Sequence, residues 1–136
     1  MGQNIAVVVR ASYYNLGVLR VYRGAVPMKT SELTGVELDW AVAKCEGIDW
    51  YASKGTIYEE HGEISFVFNP STEWAQGGPI IEREHICLMY YPTHWSALAE
   101  TGQRHSRGAT PLEAAMRCYV VSKLGADVQL PEELCQ

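Results

Sequence analysis

The segment from Thr110 to Gly125 constrains the fold most, because three helix-start signals stand there at their proper positions. Thr110 is suited to the N-cap, Pro111 to the first helical position and Glu113 to a capping box. Gly125 is then placed to end the helix. The apolar residues between these signals follow the 3.6-residue period of a helix with one buried face: Leu112, Ala115, Met116, Tyr119, Val120 and Leu124. The pattern predicts an amphipathic helix over 110–124, and the rest of the chain must supply a core for it.

A second, shorter helix is predicted over 35–46. Thr34 and Glu37 have the spacing of a capping box, in which the threonine hydroxyl accepts from a backbone amide. Gly47 is placed to end the helix in the left-handed conformation. The apolar positions of one face are Leu38, Ala41, Val42 and Cys45.

The segments between the two helices indicate β-structure. Alternating apolar residues and the turn signals at Gly55 and Gly62 predict a hairpin within residues 51–68. A further strand is expected over 86–91, ended by Pro92, whereas residues 95–98 fit a short helix or a strand equally well. Together these patterns predict an α+β domain, with a small antiparallel sheet packed against the C-terminal helix and the second short helix on its flank.

Composition restricts the class of protein without indicating an activity. The 136 residues carry a formal net charge of −5, with 47% hydrophobic and 20% charged residues, which is typical of one soluble globular domain. An acidic chain is a poor candidate for binding duplex nucleic acid, and no apolar stretch is long enough for a membrane span. The four cysteines form no C-x-x-C pair and the four histidines lack the spacing of a zinc site, so we expect reduced thiols and no metal. Those residues are Cys45, Cys87, Cys118, Cys135, His61, His85, His94 and His105.

The first 27 residues differ in charge from the rest, because they contain three arginines and no acidic residue. Residues 27–30 (PMKT) then have the appearance of a new N-terminus, with Met28 as the first residue of the core domain. We interpret residues 1–27 as an N-terminal extension, upstream-initiated or added, and residues 28–136 as a single domain. The alternative is that the segment is an ordinary first β-strand of the fold.

Residues 69–79 (NPSTEWAQGGP) are expected to form a loop between strands, and this loop concentrates groups suited to ligand binding. Trp74 offers a flat apolar face, Gln76 a two-way amide, and Gly77 and Gly78 allow close approach of the backbone. Arg83 follows with a planar guanidinium for an anion. The competing interpretation is a structural turn. No catalytic, cofactor or metal residues are assigned, and the candidate ligand-binding residues are Thr72, Trp74, Gln76, Gly77, Gly78, Glu82, Arg83 and Arg117.

Four blocks of the sequence resemble the phage NinX-like family, a domain of unknown function in tailed phages and prophages of enteric bacteria. They are MKTSELTG at 28–35, LDWAVAKCEG at 38–47, PSTEWAQGGPIIERE at 70–84 and TPLEAAMRCYVVSKLG at 110–125. The resemblance covers about residues 28–134 and departs mildly at Glu73, where the family pattern has Asp. It implies a phage accessory protein that acts in the host bacterial cytoplasm, and it supplies no reaction.

Three functional hypotheses follow from the residues and the resemblance together. The first is a non-enzymatic binder of a nucleotide-derived small molecule in counter-defence, in which Trp74 stacks a ring, Gln76 reads its edge, and Arg83 and Arg117 neutralise charge. The second is a protein–protein modulator of a host enzyme or defence protein, with Trp74 as its hot spot. The third is an enzyme such as a small hydrolase, which ranks last because no nucleophile–base pair is specified. Aromatic residues for a homo-oligomeric contact are expected at Tyr13, Tyr14, Trp40 and Trp50.

Overall fold

The helix predicted over 110–124 is the central element of the fold. A computed structural model describes residues 24–100 and 105–135, and in it this helix, α3, spans Pro111–Leu124. The Thr110 hydroxyl accepts from the amide of Glu113 at 3.1 Å, and the Glu113 carboxylate accepts from the amide of Ala109 at 3.0 Å. The predicted start is therefore confirmed. Ala114 and Cys118 are buried together with the predicted apolar face, because α3 is packed against other elements on most of its sides.

The first helix, α1, spans Gly35–Glu46 as predicted, and Gly47 ends it with φ of 68°. The predicted Thr34 side-chain cap is wrong, because the Thr34 hydroxyl makes no capping hydrogen bond and only its carbonyl accepts, from Leu38. Gly35, the residue after Thr34, has a positive φ of 53°, whereas the residue after a usual threonine cap has the negative φ of a helix. Trp40 was expected at the surface but is buried, edge-on to Trp50.

The β-structure forms three small antiparallel sheets where one small sheet was expected. The α+β class is confirmed, and the three sheets share no strand. The first sheet pairs β1 (Ala25–Lys29) with β8 (Asp127–Pro131). The second has the order β2 (Trp50–Ser53), β3 (Thr56–His61) and β4 (Ile64–Val67), and the third the order β5 (Cys87–Tyr91), β6 (His94–Leu98) and β7 (Ser106–Gly108). Single 3₁₀ turns follow β1 and β8, at Thr30–Glu32 and Glu132–Leu134.

The hairpin predicted within residues 51–68 is a three-stranded meander. Lys54 and Gly55 both have positive φ, 49° and 72°, as the tight turn between β2 and β3 requires. Ile57 of β3 is buried, but Ile64 and Phe66 of β4 are exposed although they alternate as a strand face should. The meander therefore reaches beyond the core at the β4 end.

The predicted boundary at Met28 falls inside β1. Residues 25–27 pair with β8 in the same ladder as Met28 and Lys29. Whether residues 1–27 form an extension stays a prediction, since residues 1–23 lie outside the described part of the chain, as do Tyr13 and Tyr14.

The core lies between α1, α3 and the inner faces of the strands. Its fully buried side chains include Leu33, Leu38, Met116, Val120 and Leu130. All four cysteines are described, and each is a free thiol. Among the described residues, no helix is both long and apolar enough to cross a membrane.

Candidate functional site

The loop predicted at residues 69–79 is wrong in its C-terminal half, because a helix, α2, spans Trp74–Arg83. Glu73 caps this helix, with its carboxylate accepting from the amide of Ala75 at 3.4 Å. Before it, the amides of Thr72 and Glu73 both donate to the carbonyl of Asn69, which makes a tight turn. Pro79 lies inside the helix and removes one backbone donor. The tertiary packing of Ile80, which is buried, outweighs that local cost.

Gln76 uses its amide within the protein. Its Oε1 accepts from the amide of Asn69 at 2.7 Å, and its Nε2 donates to the carbonyl of Val67 at 2.7 Å. The side chain thus ties the end of β4 to the start of α2, and neither end is directed to a ligand. Edge reading by Gln76 would require both of these hydrogen bonds to break.

The two glycines of α2 have different surroundings. A Cβ on Gly77 would lie 2.5 Å from the carbonyl oxygen of Pro70 and 2.6 Å from Cδ2 of Leu112. Gly77 therefore allows α2 to approach the preceding turn and α3 closely. At Gly78 no atom beyond the adjacent residues and the backbone of α2 lies within 4 Å of such a Cβ, so this position is open.

The remaining predicted residues of this region lie at opposite ends of α2. Trp74, at the N-terminus, is 52% exposed, and Thr72 beside it is exposed with its hydroxyl 3.3 Å from the carbonyl of Asn69. Glu82 and Arg83 are exposed at the C-terminus, about 13 Å further along at 1.5 Å per residue. The structure does not bring Trp74 and Arg83 together.

Arg83 is held by acidic side chains and an aromatic ring. Its Nη2 lies 2.7 Å from Oε1 of Glu46 and its Nε 3.0 Å from Oε1 of Glu84. The guanidinium also stands 5.7 Å from the centre of the Tyr119 ring, and burial raises the pKa of Tyr119 to about 12. Arg83 therefore links α1, α2 and α3, and its positive charge is already balanced.

Asp39 was not predicted as special, and it is the one acidic side chain that the described core buries. It is 6% exposed, and its Oδ1 accepts from the amide of Ser71 at 2.9 Å, which fixes α1 to the turn before α2. Burial raises the pKa of Asp39 to about 6, and the hydrogen bond from the Ser71 amide acts against that rise. The Asp39 carboxyl therefore holds this turn in place, while burial makes its ionised form unfavourable.

Arg117 lies apart from α2, on the opposite side of the fold's central helix. Its Nε donates to the carbonyl of Leu33 at 2.8 Å and its Nη1 to the carbonyl of Arg107 at 2.8 Å. Nη1 also lies 3.1 Å from the carboxylate of Glu113. These contacts hold the guanidinium rigidly at the wall of a pocket.

That pocket has a volume of about 550 Å³ and lies between the turn after β1, strand β7 and α3. Its cationic walls are Lys29, Arg107 and Arg117, with His105 beside them. Neither Lys29 nor the Arg107 side chain forms an ion pair with any described residue. The remaining wall is formed by hydroxyl-bearing residues, a small apolar surface and one acid: Thr30, Ser31, Ser106, Val121, Ala126 and Asp127.

Charge is strongly segregated at this pocket. The described residues include seven lysines and arginines and all sixteen acidic residues of the chain. Three of those seven cations line the pocket, with only one of the sixteen acids, Asp127. On an acidic protein such a concentration of positive charge favours an anionic ligand. Sequence reasoning found only Arg117, because the other residues come from elements that are distant along the chain.

The described part of the chain holds no group of three or more His, Cys, Asp or Glu side chains placed to bind a metal ion. A shallow cleft also lies beside β5, where Nδ1 of His85 meets Oε2 of Glu100 at 2.8 Å near Cys87. Both partners of that pair are more than two-thirds exposed, so solvent weakens their interaction.

Comparison with curated proteins gives no match. The family model described as Bacteriophage P22, NinX matches residues 29–123, which is more than two-thirds of the chain. The matched range contains α1, α2 and most of α3, together with the Lys29, Arg107 and Arg117 walls of the basic pocket. The chain therefore belongs to the bacteriophage P22 NinX family.

Proposed function

We propose that this phage accessory protein binds a nucleotide-derived anion without chemical turnover, in the pocket walled by Lys29, Arg107 and Arg117. The observation that carries the proposal is that Lys29 and Arg107, which form no ion pair with a described residue, line the same pocket as Arg117. Three hydrogen-bonded contacts hold Arg117 in place there. An Arg guanidinium binds phosphate through two parallel hydrogen bonds, and a lysine adds a point charge. This pocket replaces the α2 region as the proposed binding site, and of the residues proposed from the sequence it contains only Arg117.

The other walls of the pocket suit a nucleotide better than a bare phosphate. Its volume of about 550 Å³ falls in the range of small-molecule sites. Val121 and Ala126 provide an apolar surface for a base or a ribose, while Ser31 and Ser106 provide hydroxyl groups for polar edges. We infer that the protein sequesters a nucleotide-type immune signal in the host cytoplasm, because sequestration requires affinity alone.

The test is a thermal-shift screen with cyclic dinucleotides, cyclic oligonucleotides and ADP-ribose derivatives, with inorganic phosphate as a further probe. A ligand at 100 times its Kd stabilises the fold by about 2.7 kcal/mol, which raises the Tm by several degrees. Without ligand, the double variant Lys29→Gln/Arg107→Gln should melt at the same temperature as the wild type, because neither side chain forms an ion pair with a described residue. With ligand, the variant should not show the rise in Tm. Lys54→Gln, which changes a cation in the turn between β2 and β3, is the matched control.

Recovery of the bound compound by chromatography separates binding from catalysis. Intact ligand is expected, whereas a cleaved product would make the protein an enzyme. No shift with any compound, or an equal shift in the double variant, would refute the proposed pocket.

The alternative function, modulation of a host protein through Trp74, stays a prediction. It is supported by the exposure of the Trp74 ring, which is 52% and offers a large apolar surface for a partner. Trp74→Ala should then abolish the effect on the partner while the thermal shift with nucleotides is unchanged.

A further inference from the structure

Strand β4 is the outer strand of its sheet and is unusually apolar for an exposed position. Ile64, Phe66 and Val67 are 60%, 56% and 43% exposed, so three of its four residues present large apolar side chains to solvent. In the described chain β4 pairs only with β3. An apolar strand with one open edge is a template for pairing with another strand.

The register shows which backbone groups form that edge. Ile64 pairs with His61 across the two-residue turn, and the amide of Phe68 donates to the carbonyl of Ile57. Hydrogen-bonded positions alternate in an antiparallel pair, so the backbone groups of Ser65 and Val67 point away from β3. The Val67 carbonyl is already occupied by Nε2 of Gln76. The open edge therefore consists of both backbone groups of Ser65 and the amide of Val67.

The surroundings of β4 are acidic. Residues 55–82 contain five glutamates and no lysine or arginine. Glu59 lies opposite Phe66 and Glu60 opposite Ser65, while Glu63 stands in the turn directly before Ile64. A second copy of this chain would bring the same negative charge to the same edge, so self-pairing is disfavoured by repulsion. A partner with positive charge beside its apolar residues is favoured.

We propose that the β4 edge docks an extended segment of a partner protein, in which apolar residues alternate with or adjoin lysine and arginine. The segment adds a strand to the sheet beside Ser65 and Val67. Its basic side chains meet Glu63 and Glu59, whose carboxylate also lies 2.9 Å from Nε2 of His61. Strand addition takes affinity from the main chain and specificity from alternate side chains. The docking surface is separate from the anion pocket and goes beyond the proposed nucleotide binding.

The experiment is a selection from a displayed library of random linear peptides on the full-length protein, followed by anisotropy titrations of the synthetic winners. The enriched peptides should be rich in lysine or arginine and in β-branched or aromatic residues. Their affinity should fall with added salt, and N-methylation of alternate peptide amides should abolish binding.

Variants locate the binding. Ile64→Ser/Phe66→Ser should weaken the selected peptides by roughly tenfold or more, and Glu63→Lys, which leaves the strand intact, should weaken them in the same direction. Tyr90→Ser is the matched control, because Tyr90 is 68% exposed on β5 and belongs to a different sheet. Peptides that bind Glu63→Lys as tightly as wild type, an enrichment of acidic or helical sequences, or a failure to enrich any peptide would overturn the proposal. A dimer that dissociates on Ile64→Ser/Phe66→Ser would assign the edge to a second copy instead.

Discussion

Replacement of Asp39 by asparagine is expected to remove a pH-dependent cost from the folded state. Asp39 is buried, and its pKa is raised from 3.8 to about 6, mainly by desolvation. The folded state thus holds the proton more tightly than the unfolded state does. The contribution of Asp39 to stability is therefore fully present below about pH 4 and is lost as the pH rises through about 6.

The magnitude follows from the two pKa values. Their separation of about two pH units corresponds to about 3 kcal/mol between the protonated and the ionised limits. Between about pH 8 and about pH 4.5, protonation of Asp39 should increase the free energy of unfolding of the wild type by about 2 kcal/mol of this total. Asparagine stays neutral at every pH and keeps an oxygen that can accept from the amide of Ser71, which Asp39 now binds at 2.9 Å.

Urea unfolding of the wild type and Asp39→Asn at both pH values measures this difference, and changes at other titrating groups cancel in the comparison. The advantage of Asp39→Asn over wild type should be greater at pH 8 than at pH 4.5, by about 2 kcal/mol. Glu82→Gln, at an exposed carboxylate, is the control and should show no such change. A difference that does not vary with pH, or one that grows in acid, would show that the hydrogen bond from the Ser71 amide offsets or outweighs burial and that the reasoning is wrong.

Three further predictions concern α2 and its surroundings. In thermal melts, Gly77→Ala should destabilise the fold by about 1–3 kcal/mol, since its Cβ would overlap Pro70 and Leu112. Gly78→Ala, at an open helical position, is the matched control and should be neutral or stabilising by up to about 1 kcal/mol. Gln76→Ala should cost about 1–3 kcal/mol in urea unfolding, because the amide of Asn69 and the carbonyl of Val67 lose their partner; a cost near zero would mean that water replaces the side chain. Arg83→Ala should cost no more than about 1 kcal/mol in urea unfolding, because the Arg83 side chain is half exposed and solvent weakens its ion pairs. If α2 lies outside the pocket, this variant should bind any nucleotide that raises the Tm of the wild type with unchanged affinity.

The elements that local sequence signals specify were predicted well. The caps of α3 at Thr110 and Glu113 act between residues three or four positions apart, and Gly47 ends α1 through its own backbone conformation. Such signals can be read without any knowledge of the fold. The strands of the meander were predicted for the same reason, from alternation and turn residues.

Helix α2 could not be predicted in this way, because its local sequence favours a loop. Two glycines and a proline within ten residues weaken a helix by themselves. The helix forms because Gly77 fits closely against Pro70 and Leu112 and because Ile80 is buried. The contact with Leu112 joins residues 35 positions apart, and the contact with Pro70 depends on the turn before the helix, so the periodicity of the sequence does not indicate either of them.

The candidate site shows the same limit. Gln76 and Arg83 have the chemistry of ligand-binding groups, but the fold uses that chemistry to join its own elements. Lys29 and Arg107 attract no notice in the sequence, yet they meet Arg117 at one pocket. Residue type indicates what a side chain can bind, and only the tertiary structure determines whether it is already occupied.

The pairing of β1 with β8 has a consequence for how the protein is made. Val128 lies 100 residues after Met28, its partner in the ladder, and at about 5–20 residues per second the ribosome needs roughly 5–20 s to add that length. During this time β1 lacks β8, the strand with which it pairs in the described part of the chain, and its apolar face is open to chaperones and to other nascent chains. Completion of this sheet must therefore wait until Asp127–Pro131 has been synthesised, and a premature stop before β8 would release a product in which β1 lacks this partner.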